Sequence, residues 1–131
     1  MEPLVVICPQ VEENSRLSAV LAHALEGRPH VKLQRPDQLH PMEGRRVLFA
    51  ISLLHGGVNL GWYAMLSAIR QDKRFFEGCC GAVLVDGDGE LSTKSAAREI
   101  VFAANQAGCA FMGAPLIEAT GSLENFHIRA M

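Results

Sequence analysis

A chain of 131 residues in which 49% are hydrophobic is able to bury the core of one domain without disulfides or metal to hold it together. Its 12 basic and 14 acidic side chains give a net charge of −2, and no long block of either sign argues for contact with a phosphate backbone. We therefore expect a single domain over residues 1–131 that binds no nucleic acid.

Membrane insertion and secretion are not indicated by the sequence. The longest uncharged stretches, such as 47–63, are interrupted by His55, Asn59 and several glycines, so they do not resemble the ~20 apolar residues that a spanning helix requires. The N-terminus has neither a basic segment nor a long apolar one. We expect a cytoplasmic protein that has no membrane partner.

The cysteines show neither metal-ligand nor redox spacing. They are Cys8, Cys79, Cys80 and Cys109, with no CxxC pair and no histidine at zinc-ligand spacing. Free cysteines pack readily as small apolar side chains. We expect reduced, buried thiols and no metal site.

Short apolar runs alternate along the chain with helical patterns. The runs predict strands at 4–8, 31–33, 46–52, 82–85 and 109–112, with 116–117 a candidate continuation of the last. Apolar residues at helical spacing predict helices after the first, third and fourth strands. Gly27 and Gly108 are placed to end two of these helices, and Ser92 is placed to cap one.

Strands that alternate with helices predict right-handed βαβ units and a parallel sheet. We expect a three-layer α/β fold with five parallel strands in the order 2-1-3-4-5 and helices on both faces. In such a sheet ligands bind beyond the carboxyl ends of the strands, where the strand order reverses. The loops after the first, third and fourth strands are therefore the candidate binding region.

Several segments together carry a family pattern. A strand is followed by a loop ending in 14–17 that opens a helix, the third strand has a glycine-rich exit, and 105–109 (Asn-Gln-Ala-Gly-Cys) precedes the last strand. In order and spacing these segments resemble the NAD(P)H-dependent FMN reductase branch of the flavodoxin-like superfamily, over nearly the whole chain. The resemblance implies a flavodoxin-like fold that binds FMN.

In that family the first loop wraps the FMN phosphate at a helix N-terminus, where backbone donors and the helix dipole favour an anion. The resemblance implies that Gln10, Asn14 and Ser15 contribute here. The family's opening glycine, serine and arginine are replaced by 8–11, and glutamates at 12–13 add negative charge. Alternatively, Asn14 or Ser15 simply caps the helix, since such caps are general.

The resemblance implies that the second loop lies beside the isoalloxazine ring of the flavin. Glycines permit close backbone approach to a flat ring, and an aromatic side chain is able to stack on it. Trp62 begins the apolar stripe of its own helix and is expected in the core, whereas Tyr63 lies off that stripe. The candidate contacts are His55, Gly56, Gly57, Asn59 and Tyr63.

The third loop opens with 86–90, Asp-Gly-Asp-Gly-Glu. As a flavin-facing loop it offers Asp86 and Gly87, and its acidic groups disfavour added negative charge on a reduced flavin. The run fails as a calcium loop because the required glycine and glutamate are missing. It also resembles the nucleophile motif of haloacid-dehalogenase-type phosphotransferases, although Glu90 replaces the usual threonine and no later acidic pair is present. A solvated turn is the remaining alternative.

These patterns lead us to expect an FMN-binding flavoprotein that passes electrons from NAD(P)H to an unidentified acceptor. No catalytic side chain is required, because the flavin carries the chemistry. The alternative is a flavodoxin-like module that has lost flavin and serves in binding or assembly. The tail 119–126 predicts a turn and a short final helix capped by Ser122, which would leave one sheet face poorly covered and leads us to expect a homodimer.

Overall fold

Strands and helices alternate along the chain as the sequence predicts. The strands are β1 (Leu4–Ile7), β2 (His30–Leu33), β3 (Arg46–Ser52), β4 (Cys80–Asp86), β5 (Ala110–Thr120) and β6 (His127–Ala130). The helices are α1 (Arg16–Ala24), α2 (Leu60–Arg70) and α3 (Glu90–Gln106), and a 3₁₀ turn at Pro36–Gln38 lies between β2 and β3. This computed structural model describes residues 3–9, 16–52, 60–86, 90–120 and 127–130.

The strands form one sheet in the order β2-β1-β3-β4-β5-β6. Every neighbouring pair from β2 to β5 is parallel. The expected five parallel strands in the order 2-1-3-4-5 are therefore confirmed, and the fold is flavodoxin-like. The order reverses at β1, which lies between β2 and β3.

The last strands contain two features that the sequence analysis did not predict. β5 joins both predicted segments into one strand with an irregularity, because the register moves from Gly81 opposite Phe111 to Val83 opposite Leu116. Pro115 falls within that irregularity, as expected for a residue without a backbone N–H. β6 then pairs antiparallel with β5. The predicted cap Ser122 lies outside the described residues, and the chain that follows at 127–130 is strand rather than helix.

Helices cover the sheet on both faces, with a separate apolar cluster on each. On one face α1 packs on the middle strands through a cluster made of Val6, Cys8, Leu17, Val20, Leu21, Leu25, Leu48, Ala50 and Leu84. On the other face α2 and α3 pack on a larger cluster around Phe49. The Phe49 ring is fully buried and lies 5.5 Å from the Phe76 ring, edge to face. Apolar burial on both faces explains why β3 is an almost continuous apolar run.

Two of the predicted helix ends are confirmed, and one predicted start is wrong. Gly27 and Gly108 follow α1 and α3 with φ angles of 73° and 98°, which glycine adopts without penalty. The N–H of Cys109 donates to the carbonyl of Ala104 at 3.0 Å, the bond of a glycine-terminated helix. Ser92 does not cap α3, because that helix already begins at Glu90.

All cysteines have free thiols. Cys8, Cys79 and Cys109 are buried as expected, whereas Cys80 is exposed. Within the described part of the chain, no helix is both long and apolar enough to cross a membrane.

Candidate functional site

The candidate site lies at one edge of the sheet, where the parallel strands have their carboxyl ends. β1, β3 and β4 are each followed by a helix that returns the chain to the opposite edge. The N-termini of α1, α2 and α3 are therefore all at this edge, which we call the carboxyl edge. Unpaired backbone N–H groups and helix dipoles make such an edge favourable for an anion.

The carboxyl edge has a step where the strand order reverses. The last pair between β1 and β3 is Ile7 with Phe49, and β3 continues for three more residues to Ser52. β4 follows β3 to the end, because Asp86 pairs with Ser52. At roughly 3.3 Å per residue, the middle strands project about 10 Å beyond β1. The step lies at the position where open α/β sheets bind ligands.

Polar groups at the step share the face that α1 covers. Ala50 and Leu84 pack in the α1-side cluster, and side chains alternate along a strand, so Ser52 and Asp86 lie on this same face. They are in register on adjacent strands, which places their backbones about 4.8 Å apart. The sequence analysis missed Ser52 as a site residue, since only the pairing of β3 with β4 brings it beside Asp86.

Asp86 is fully buried, with 0% of its surface exposed, and it is the one buried polar or charged residue among the side chains described. A carboxylate is costly to remove from water unless its surroundings compensate it. Asp86 is therefore not a solvated turn residue, which was one alternative for the sequence 86–90. Asp86 is thus a buried carboxyl residue at the end of β4, on the carboxyl edge.

Cys8 directly follows the last residue of β1, where β3 continues beyond β1. Its N–H donates to the carbonyl of Leu33 at 3.0 Å, and its side chain is fully buried. Burial raises the pKa of the Cys8 thiol to about 11, opposed in part by the charge of Lys32. The thiol is thus protonated at neutral pH and acts as an apolar contact, because the thiolate is the reactive form.

The two neighbouring aromatic residues of α2 have different environments. Trp62 is 3% exposed, and its indole Nε1 donates to the carbonyl oxygen of Ala50 at 3.2 Å. The expectation that Trp62 belongs to the core is confirmed. Tyr63 is 55% exposed in the first turn of α2, at the carboxyl edge but in the layer opposite α1. Stacking of Tyr63 on a ligand stays a prediction.

The structure brings two of the predicted site residues, Tyr63 and Asp86, to the same edge. The other predicted site residues lie outside the described residues: Gln10, Asn14, Ser15, His55, Gly56, Gly57, Asn59 and Gly87. Within the described ranges, no group of at least three histidine, cysteine, aspartate or glutamate side chains is arranged to hold a metal ion.

No protein-family model matches the chain, and no curated protein matches it. The proposed function therefore rests on the carboxyl edge.

Proposed function

We propose that the protein binds FMN at the carboxyl edge and passes electrons from NAD(P)H to an acceptor that is not identified. The observation that supports this most is the step at the β1–β3 reversal, on the edge where β1, β3 and β4 all end. This is the position at which flavodoxin-like sheets bind FMN.

The charges of the edge suggest how FMN is oriented. A phosphate is favoured at the N-terminus of α1, which Asn14 and Ser15 directly precede in the sequence, because helix N-termini attract anions. Asp86 opposes a phosphate on the β4 side, since two like charges about 4 Å apart repel by up to ~4 kcal/mol at an effective dielectric of about 20. We therefore place the phosphate towards α1 and the ring towards the loops after β3 and β4.

The flavin supplies the hydride and electron chemistry, and the chain contributes position and electrostatics. Tyr63, exposed at the start of α2, is an aromatic side chain at this edge that is available to stack on the ring. As a carboxylate, Asp86 holds a negative charge at the edge, which disfavours further negative charge nearby. No side chain is assigned a catalytic proton transfer.

Purification and one matched pair of variants test this proposal. Freshly purified protein is expected to show the visible absorbance bands of flavin, or to quench FMN fluorescence on titration. Tyr63→Leu should weaken FMN binding about 2- to 12-fold, the loss expected for one aromatic stacking contact. Phe102→Leu is the control, because Phe102 is 60% exposed near the far end of α3. Absence of flavin after purification together with no quenching would overturn the proposal.

The second candidate function is a flavin-free module for binding or assembly. One observation favours it, the replacement of the family's phosphate-loop opening by 8–11 with glutamates at 12–13. The same FMN titration separates the two functions. Self-association as a homodimer remains a prediction under either one.

A further inference from the structure

We propose that the outer edge of β2 is a docking site for another protein, which adds an extended segment with carboxylates at alternate positions to the sheet. β2 is the terminal strand of the described sheet and has a neighbour on one side, β1. An open strand edge is a template on which another chain pairs as a further strand. This interaction is independent of the proposed flavin function.

The backbone of β2 directs two residues away from β1. The N–H of Cys8 donates to the carbonyl of Leu33 at 3.0 Å, so the backbone of Leu33 faces β1. Backbone groups of successive strand residues point to opposite sides. The N–H and carbonyl groups of His30 and Lys32 therefore point outward. Since β1 is the one described neighbour of β2, these groups are placed to bond an added strand.

The side chains along this edge divide between the two faces of the sheet. The register pairs Val6 with Lys32 and Val5 with Val31. Val6 packs in the α1-side cluster, whereas Val5 packs in the larger cluster under α2 and α3. Lys32 therefore lies on the α1 face together with His30, and Val31 lies on the opposite face. His30 and Lys32 are exposed, and Val31 is 44% exposed.

This division selects a segment in which acidic and apolar side chains alternate. An added strand places every second side chain beside His30 and Lys32, and the side chains between them beside Val31. Lys32 forms no ion pair with any residue that the structure describes, so its ammonium is available to a carboxylate. The nearby carboxylate of Asp37 already accepts from Nε of Arg35 at 3.1 Å.

A second copy of this chain fits the edge poorly. Antiparallel pairing of β2 with itself would bring two lysines and two histidines together along one seam, and like charges that face each other across strands are destabilising. Lysine on an edge strand opposes such self-pairing. The segment 26–38 carries three lysine or arginine residues against two acidic ones. An acidic partner strand therefore meets complementary charge.

Calorimetric titration of the full chain with the peptide acetyl-Glu-Val-Glu-Val-Glu-amide tests the site. The peptide is expected to bind saturably. Lys32→Glu should weaken this binding by about tenfold or more and should give binding to acetyl-Lys-Val-Lys-Val-Lys-amide instead. Lys73→Glu, at an exposed position after α2, makes the same charge change and is the control. It should bind the glutamate peptide like the unchanged chain.

Two N-methylated forms of the glutamate peptide test the backbone pairing in the unchanged protein. One is methylated at the glutamate amides and the other at the valine amides. Since alternate N–H groups of a strand point to opposite sides, only one form should lose binding. The proposal is overturned if both forms bind alike, if Lys32→Glu binds the glutamate peptide normally, or if the peptide fails to saturate. Failure to saturate with a dimer in sedimentation would assign the edge to a second copy.

Discussion

Ser52 and Asp86 end neighbouring parallel strands in register, so a half-buried hydroxyl residue lies beside a fully buried carboxyl residue at the carboxyl edge. The pair lies at the step where β3 and β4 extend beyond the end of β1. This relationship distinguishes the edge from an ordinary set of solvated strand ends and leads to the first prediction.

Asp86→Asn should make bound FMN easier to reduce. The substitution keeps the side-chain shape and removes a charge that opposes electron uptake nearby, so the reduction potential should rise by about 30 mV or more, which is ~1.4 kcal/mol for a two-electron couple. Dye equilibration measures the shift. Asp72→Asn, at the opposite edge and exposed, is the control. If the reduction potential of bound FMN is the same in both variants and in the unchanged chain, Asp86 does not influence the flavin.

Gly108→Ala should destabilise the fold more than Gly27→Ala. Both glycines have positive φ, but a Cβ at Gly108 would lie 2.9 Å from Cα of Glu77, whereas nothing lies within 4 Å of a Cβ at Gly27. The left-handed conformation costs a non-glycine residue about 1–2 kcal/mol. We expect that loss for Gly27→Ala and about 2–4 kcal/mol for Gly108→Ala. Urea unfolding measures both, and equal losses would contradict the contact with Glu77.

The buried Cys8 thiol should make the fold less stable in alkaline solution. Its pKa is raised from 9.0 to about 11 by burial, so the folded state holds the proton more tightly than the unfolded chain. The stabilisation is complete below pH 9 and is lost as the pH rises towards 11. Between about pH 8 and about pH 10, the unchanged chain should lose about 1 kcal/mol more of its unfolding free energy than Cys8→Ala does.

Urea unfolding at the two pH values measures this difference. Cys109, whose pKa burial raises to about 12, is present in both proteins and cancels in the comparison. Identical pH dependence in the two proteins would show that Cys8 does not resist ionisation in the fold.

The sequence predicted the parallel sheet well because each strand has its own local signal. The bounds of β3 agree with the prediction, since a five-residue apolar run lies between Arg46 and Ser52 and both sheet faces demand apolar residues there. The helix ends at Gly27 and Gly108 were also predictable, because positive φ favours glycine.

Features that depend on pairing were not predictable in the same way. β6 is a four-residue strand, His127–Ala130, and its place comes from the antiparallel ladder with β5 rather than from its own pattern. The register of Ser52 with Asp86 likewise follows from how β3 and β4 pair. Local periodicity therefore identified the edge that carries the site but not which strand-end residues meet there.

The glutamates at 12–13 should limit the affinity for FMN. A helix N-terminus favours an exposed anion by about 0.3–1 kcal/mol, while one carboxylate about 4 Å away repels it by up to ~4 kcal/mol at a surface-like dielectric. Replacing both glutamates by glutamine should tighten FMN binding, and Ser15→Ala should weaken it, as measured by fluorescence quenching. If neither change alters binding and the fold is intact, the first loop is not a phosphate site.

Titration of the flavin-free protein with FMN and with riboflavin tests the central claim most directly. The account predicts saturable quenching of FMN fluorescence at one FMN per chain, tighter than for riboflavin because only FMN carries a phosphate for the N-terminus of α1. Unchanged FMN fluorescence over the whole titration, with no flavin in the purified protein, would contradict it.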